Sequence, residues 1–318
     1  MKILVTGGHG MLGKSIQKLV KNNLTNNHEY FFISRKECDF RDANSVHDLF
    51  NQLQPEVVIH LASCVGGVYQ NMNNNYNYLT DNVRIHLNVV DCCDKYNVKR
   101  LINILSTCIF PNENVTYPLT SDQLHNGLPH DSNIGYAYSK RFLHVASGLL
   151  QQKNMNTKVV NITPTNLYGE NDNYDLKSAH VIPSLIHKMY LAKKNNTPIE
   201  VCGTGNALRQ FLYVDDLAKV VIAFIDIELD KNEISAIVSP PEKEEYRIKE
   251  LIEMISEIYE YDKRNITYNE SYSDGQEKKT TNEKEVAKYI KDIEFTELRE
   301  GLQKTIKAFK YLKDVSSM

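Results

Sequence analysis

The chain of 318 residues has no tryptophan and no pair of cysteines spaced Cys-x-x-Cys. Its six cysteines, at positions 38, 64, 92, 93, 108 and 202, therefore offer neither a zinc knuckle nor a thioredoxin-type redox motif. Adjacent Cys92 and Cys93 fall in a helical stretch and read as core fillers. No apolar run approaches the roughly 20 residues that a membrane-spanning helix needs. A formal net charge of −3 gives no electrostatic reason to expect nucleic acid or an anionic membrane as partner, so any phosphate must be held by local groups. No signal-peptide pattern precedes Ile3-Leu4-Val5, and a reduced, cytoplasmic setting is expected. What is present, 42% hydrophobic and 24% charged residues, is ordinary for a globular chain long enough to bury a large core.

The first half alternates short β-branched runs with amphipathic stretches, the pattern of βαβ units feeding a parallel sheet. Strands are expected at Lys2–Thr6, Tyr30–Ser34, Val57–Leu61, Arg100–Ser106 and Lys158–Thr163. Helices are expected at Met11–Asn22, Ser45–Leu53, Tyr76–Tyr96 and Tyr136–Gln152, with the Asn-rich segment Asn71–Asn77 as a loop. Beyond Gly169 the pattern loosens: helices at Pro183–Lys194, Asp215–Ile227 and Ile248–Tyr261, short strands at Ile199–Cys202 and Ile234–Val238. The fold class is α/β, a Rossmann-type doubly wound parallel sheet with a smaller C-terminal α/β substrate domain. Residues 1–165, with 211–240 returning to them, form the expected dinucleotide domain, and 166–318 mainly the substrate domain.

Gly7, Gly10 and Gly13 lie between the first strand and the first helix. There they permit the tight turn, the approach of backbone to a pyrophosphate, and close helix–strand packing. Phosphates then meet a helix N-terminus whose free N–H groups and dipole favour anions. The second strand ends in Ser34-Arg35-Lys36 where an NAD-selecting protein carries an acid, so a 2′-phosphate and NADP(H) are preferred. His9 is a further donor in the turn, and Asp39 and Phe40 are expected near the adenine. Arg35 and Lys36 also read as solvated loop charges.

Tyr136 and Lys140 stand one helical turn apart and project from one face. A nearby ammonium stabilises a phenolate, which makes tyrosine a usable acid–base at neutral pH. Tyr138 has no such partner and reads as structural. The pair follows a strand that ends in Ser106-Thr107-Cys108, and the combination resembles the extended short-chain dehydrogenase/reductase family. Val65–Gly67, Leu105–Pro111, Pro164–Gly169, His180–Pro183, Gly203–Phe211 and Ser273–Gly275 together resemble, within it, the GDP-L-fucose synthases. These enzymes epimerise GDP-4-keto-6-deoxy-D-mannose at C3 and C5 and reduce it at C4.

The resemblance implies that Ser106 hydrogen-bonds the substrate carbonyl, Tyr136 donates the proton and Lys140 binds the nicotinamide ribose. It implies that Cys108 removes a proton and His180 delivers one from the opposite face. Met11, Leu12, Leu105, Pro164, Asn166, Leu167 and His180 are implied cofactor contacts; Lys188, Cys202, Arg209 and Asp274 are implied contacts to the GDP-sugar. Bacterial members have tryptophan at the position of Cys202, which leaves open how this chain holds the base. A homodimer is implied, built through the helices at Tyr76–Tyr96 and Tyr136–Gln152. From residue chemistry alone Cys108 reads as a buried small hydrophobe, the usual fate of a free cysteine, and His180 as a cap on its helix. Another nucleotide-sugar epimerase/reductase, acting for instance on a UDP-4-keto-6-deoxy sugar, is the competing enzyme; an NADP-binding regulator without catalysis is the competing class.

Overall fold

Successive side chains of a strand point to opposite faces, and in a sheet covered on both sides both sets must be apolar. The first strand, β1 (Lys2–Thr6), obeys this in the computed structural model, which describes residues 1–22, 28–229 and 233–315. Ile3 and Val5 enter one core and Leu4 the other. Strands β2 (Glu29–Ile33), β3 (Val57–His60), β4 (Arg100–Ile104) and β5 (Lys158–Pro164) follow, separated by helices α1 (Met11–Lys21), α2 (Ala43–Leu53), α3 (Val68–Lys95) and α4 (Ile134–Lys153). After β6 (Asn166–Tyr168) come α5 (Val181–Asn195), β7 (Ile199–Cys202), β8 (Leu208–Tyr213), α6 (Val214–Asp226) and β9 (Glu233–Val238). The chain ends with β10 (Glu245–Arg247), α7 (Ile248–Tyr259), β11 (Ile266–Asn269), α8 (Lys284–Ala287) and α9 (Leu298–Val315).

The main sheet has the order β2-β1-β3-β4-β5-β9 with every neighbour parallel. Order reverses between β1 and β3, so the crevice beyond their C-terminal ends is the topological switch point where such sheets bind ligands. Helices α1 and α6 cover one face and α2, α3 and α4 the other. The α/β doubly wound class is as expected. Strand β9, from beyond residue 211, pairs with β5 in this same sheet.

A third core gathers α5, α7 and α9 over β7 and β8, with Tyr168 and Phe309 buried at its centre. Its sheets are small, β10-β8-β6 and β11-β7.

The third helix begins earlier than its sequence suggests. Residues 71–77 lie inside α3, and the ladder breaks only at Asn74 (φ −136°, ψ 24°). Asparagine disfavours helix interiors because its amide competes for backbone partners. Here that competition is put to use: the amides of Asn73 and Asn74 donate to the carbonyls of Tyr69 and Gln70, and Asn71 donates to Gly66 and Gly67.

Candidate active site

The turn from β1 to α1 is drawn tight by the Gly10 N–H donating to the Gly7 carbonyl at 3.0 Å. Gly7 has φ +65°, and a Cβ there would stand 2.9 Å from the Ala62 nitrogen, in the loop after β3. A Cβ on Gly13 would stand 2.3 Å from the Gly8 carbonyl oxygen. The turn and the neighbouring loop thus meet backbone to backbone at the switch point. Helix α1 has no side-chain cap at Gly10 and no acid in its first turn. Its N-terminal N–H groups, those of Met11 and Leu12 among them, are therefore left for an external anion. The side chain of Leu12 is buried in the core and that of Met11 packs against it, so both present backbone to the turn. This cradle fits a dinucleotide pyrophosphate.

After β2, Arg35 and Lys36 are exposed, with the Arg35 Nε 4.0 Å from Asp39. Asp39 is tied instead to Arg41 at 2.6 Å, and hydrogen bonds from that guanidinium hold its carboxyl down at about 2. Phe40 is buried in the core. Glu37, absent from the sequence-based candidates, accepts from the Ser34 N–H (2.8 Å) and hydroxyl (2.7 Å), which depresses its pKa. Its charge is thereby turned back onto the strand end, and the two cations keep open donors toward solvent.

Strand β4 delivers the expected catalytic residues Ser106 and Cys108 just beyond its C-terminal end. Ser106 follows it and opens a short 3-10 turn over Thr107–Ile109, its hydroxyl accepting from the Cys108 N–H at 3.4 Å. Cys108 is buried, which pushes its thiol up; Lys279, Ser106 and Lys140 pull the other way. Tyr136 and Lys140 come from the first two turns of α4, with the Lys140 Nζ 5.8 Å from the Tyr136 ring centre. Lys140 donates to the Ile104 carbonyl at 2.8 Å, and burial lowers its pKa to about 8. Burial raises the Tyr136 phenol, the nearby Cys108 adds to the rise, and a hydrogen bond with Ser63 opposes it. Ser106, Cys108, Tyr136 and Lys140 thus share one desolvated patch, joined by Ser63 and Lys279, which sequence pattern did not single out.

His180 occupies the N-cap position of α5, yet its side chain caps nothing. The residue is open to solvent while protein surrounds the imidazole closely enough to lower its pKa, the situation of a ring at the mouth of a cleft. Its loop packs on the Val65–Gly67 loop: the Gly67 N–H donates to the Ser178 carbonyl, and a Cβ on Gly67 would stand 2.8 Å from the Ala179 oxygen. No direct contact joins His180 to Cys108 among the described residues.

Leu105 and Pro164 are buried, at the ends of β4 and β5; Leu167 is half-buried, and Asn166 donates to the Gln210 carbonyl at 3.0 Å. Of the residues expected at the substrate, Lys188 reaches the Glu200 carbonyl on β7 (3.0 Å). Arg209 donates to the Gln276 carbonyl at 2.6 Å, and burial lowers its pKa to about 10. Asp274 accepts from the N–H (2.8 Å) and hydroxyl (2.5 Å) of Thr204, so it fastens its loop to the turn after Cys202.

Residues 3–237 match the model of the NAD dependent epimerase/dehydratase family. The chain belongs to that family. The chain is 38% identical to a GDP-L-fucose synthase from Dictyostelium discoideum, with 96% of this chain and 94% of that one aligned. It is 34% identical to a probable GDP-L-fucose synthase from Drosophila melanogaster, over 96% of each. A crystal structure of a GDP-L-fucose synthetase from Naegleria fowleri bound to NADP superposes with a TM-score of 0.90, at 34% identity, covering 98% of this chain and 93% of that one.

Proposed function

We propose that the chain is an NADP(H)-dependent epimerase/reductase that converts GDP-4-dehydro-6-deoxy-D-mannose to GDP-L-fucose. The observation that carries this reading is the shared patch of the Cys108 thiol, the Tyr136 phenol and the Lys140 ammonium at the end of β4. A C4 ketone acidifies the C–H bonds at C3 and C5, so one acid–base pair serves both centres. Cys108 takes the proton from carbon, the negative charge passes to the C4 oxygen, and His180 returns a proton on the opposite face. Hydrogen bonds from Ser106 and Tyr136 hold that oxygen as charge builds on it. NADPH, when bound, supplies the hydride that reduces C4. Tyr136 gives its proton to the resulting alkoxide, with Lys140 stabilising the phenolate left behind.

Residues 1–165, with 211–240, hold the dinucleotide in this reading. The uncapped end of α1 takes its pyrophosphate, and Arg35 and Lys36 its 2′-phosphate. Residues 166–318 mainly hold the GDP-sugar, with Lys188 and Arg209 near the diphosphate; both are held only by backbone carbonyls and can turn to an incoming anion. Two copies pair through α3 and α4, and the enzyme works in the cytoplasm.

The test is NADPH consumption with GDP-4-keto-6-deoxy-D-mannose against a UDP-linked 4-keto-6-deoxy sugar. Oxidation with the GDP compound is expected; oxidation with the UDP compound alone would replace the substrate assignment. Tyr136→Phe should lower kcat by about 100-fold or more, and unchanged turnover would remove the phenol from the mechanism.

A further inference from the structure

Tyr69, in the first turn of α3, and Tyr272, in the loop after β11, meet edge to face with ring centres 5.5 Å apart and planes at 88°. The residues are 43% and 40% exposed. Among the described residues this is the one paired set of rings in which both partners are exposed. A single exposed aromatic needs no explanation, whereas two exposed rings held against each other offer joined apolar surface on which a ligand can pack.

The surroundings narrow the ligand. Burial raises the pKa of the Tyr69 phenol, and Cys202, at the C-terminal end of β7, is close enough to add to the rise. Asn269, paired with Cys202 across the small sheet, accepts from the Tyr272 N–H at 3.3 Å. The next two residues of the turn, Gly203 and Thr204, pack on Asp274, whose carboxylate Thr204 binds. Lys188 is anchored on the same strand and Arg209 on Gln276 of the same loop. Two cations beside open aromatic faces suit a nucleoside diphosphate: the cations meet the phosphates and a ring takes the base. In an edge-to-face pair the ring that gives its edge keeps both faces free for stacking.

We propose that Tyr69 and Tyr272 form the seat of the substrate's nucleobase, with Cys202 as its floor. The seat rests on the nucleotide-sugar reading above and extends it, since it spans two parts of the fold. Tyr69 follows the Val65–Gly67 loop that packs on the residues before His180, and Tyr272 belongs to the loop that Asp274 fastens. A base held there ties the nucleotide to both walls of the cleft.

Titration of the whole enzyme with GDP, UDP and inorganic pyrophosphate tests the seat. Tyr69→Ala and Tyr272→Ala should each weaken GDP binding by about 5- to 150-fold. Tyr69→Phe and Tyr272→Phe should stay near wild type, and NADPH and pyrophosphate should bind all variants alike. Unchanged GDP affinity in both alanine variants overturns the seat, and so does an equal loss for pyrophosphate, which would put the effect on the cations. If wild type binds UDP and not GDP, the substrate assignment fails while the same comparison, read on UDP, still decides the seat. Because the chain has no tryptophan, Tyr69→Trp gives a single indole at the site that can be excited apart from the tyrosines. Saturating nucleotide should quench it, and an unmoved emission would also overturn the proposal.

Discussion

Burial moves the two central titrating groups in opposite directions, the Cys108 thiol up and the Lys140 ammonium down to about 8. In the proposed mechanism this opposition separates the two halves of the reaction by pH. A raised thiol is protonated at neutral pH, so proton abstraction by Cys108 should speed up as pH rises. Lys140 loses its charge as pH rises through about 8, so support for the Tyr136 phenolate is lost over that range. Deuterium uptake at C3 and C5, followed with NADP⁺ in place of NADPH, should climb from pH 6 to 9 and vanish in Cys108→Ser. NADPH oxidation at saturating substrate should fall above pH 8. A common profile for both would show that one group limits both steps. Arg35 and Lys36 make a separate case. Their open donors predict that the double alanine variant loses NADPH affinity by tenfold or more with NADH affinity nearly unchanged, measurable by cofactor titration. Equal losses would return the pair to solvated loop charges. Sequence spacing brought out Tyr136 and Lys140 because a helical turn brings them to one face, and the glycine turn because its strand–turn–helix context is local. Ser63 and Lys279 gave no such signal: they reach the patch from loops far along the chain, as isolated polar residues in no periodic pattern.

The elements of the main sheet were legible where burial on both faces writes a continuous apolar run, as over Ile3–Val5 in β1 and Val57–Ile59 in β3. Strands β6, β10 and β11 are three or four residues long and half-exposed, too short to show a period. One feature of the sheet carries an electrostatic consequence. Thr6, His60, Asn103, Asn161 and Ser235 lie side by side across five strands. His60 bonds Thr6 at 2.8 Å and His86 of α3 at 2.8 Å, and both imidazoles are fully buried. Burial lowers His60 to about 3 and His86 well below its usual value. Both are therefore neutral when folded, whereas the unfolded chain protonates them below about pH 6.5. The unfolded state then binds more protons, so stability falls as pH drops from about 6.5. The slope approaches about 1.4 kcal/mol per pH unit for each imidazole until its folded pKa is reached. Urea midpoints at pH 7 and pH 5 should show this loss, and His86→Phe should have a shallower pH dependence. A variant with wild-type slope would assign the acid sensitivity to other groups.

At the scale of the molecule, α3 and α4 pack side by side over one face of the sheet and leave an apolar stripe outward. Tyr138, Val145 and Leu149 are exposed at helical spacing along α4, with Leu87 exposed on α3. Helix periodicity cannot tell a face turned to the sheet from one turned to a second copy, because both demand apolar residues at the same intervals. The fold separates them: Leu143 and Leu150 of α4 and Ile85 and Val89 of α3 fill the core, which leaves Val145, Leu149 and Leu87 outside it, beside Tyr138, whose ring lies under the Arg141 guanidinium. In the dimer proposed above, a two-fold axis along this stripe sets each residue against its own copy or near neighbour, so one charge introduced there appears twice in close proximity. In the proposed dimer, Leu149→Arg, Val145→Arg or the two together should therefore give a monomer in sedimentation velocity, with the far-UV spectrum and NADPH affinity retained because the cofactor turn lies at the C-terminal ends of the strands. Retention of a dimer in the double variant would move the interface elsewhere.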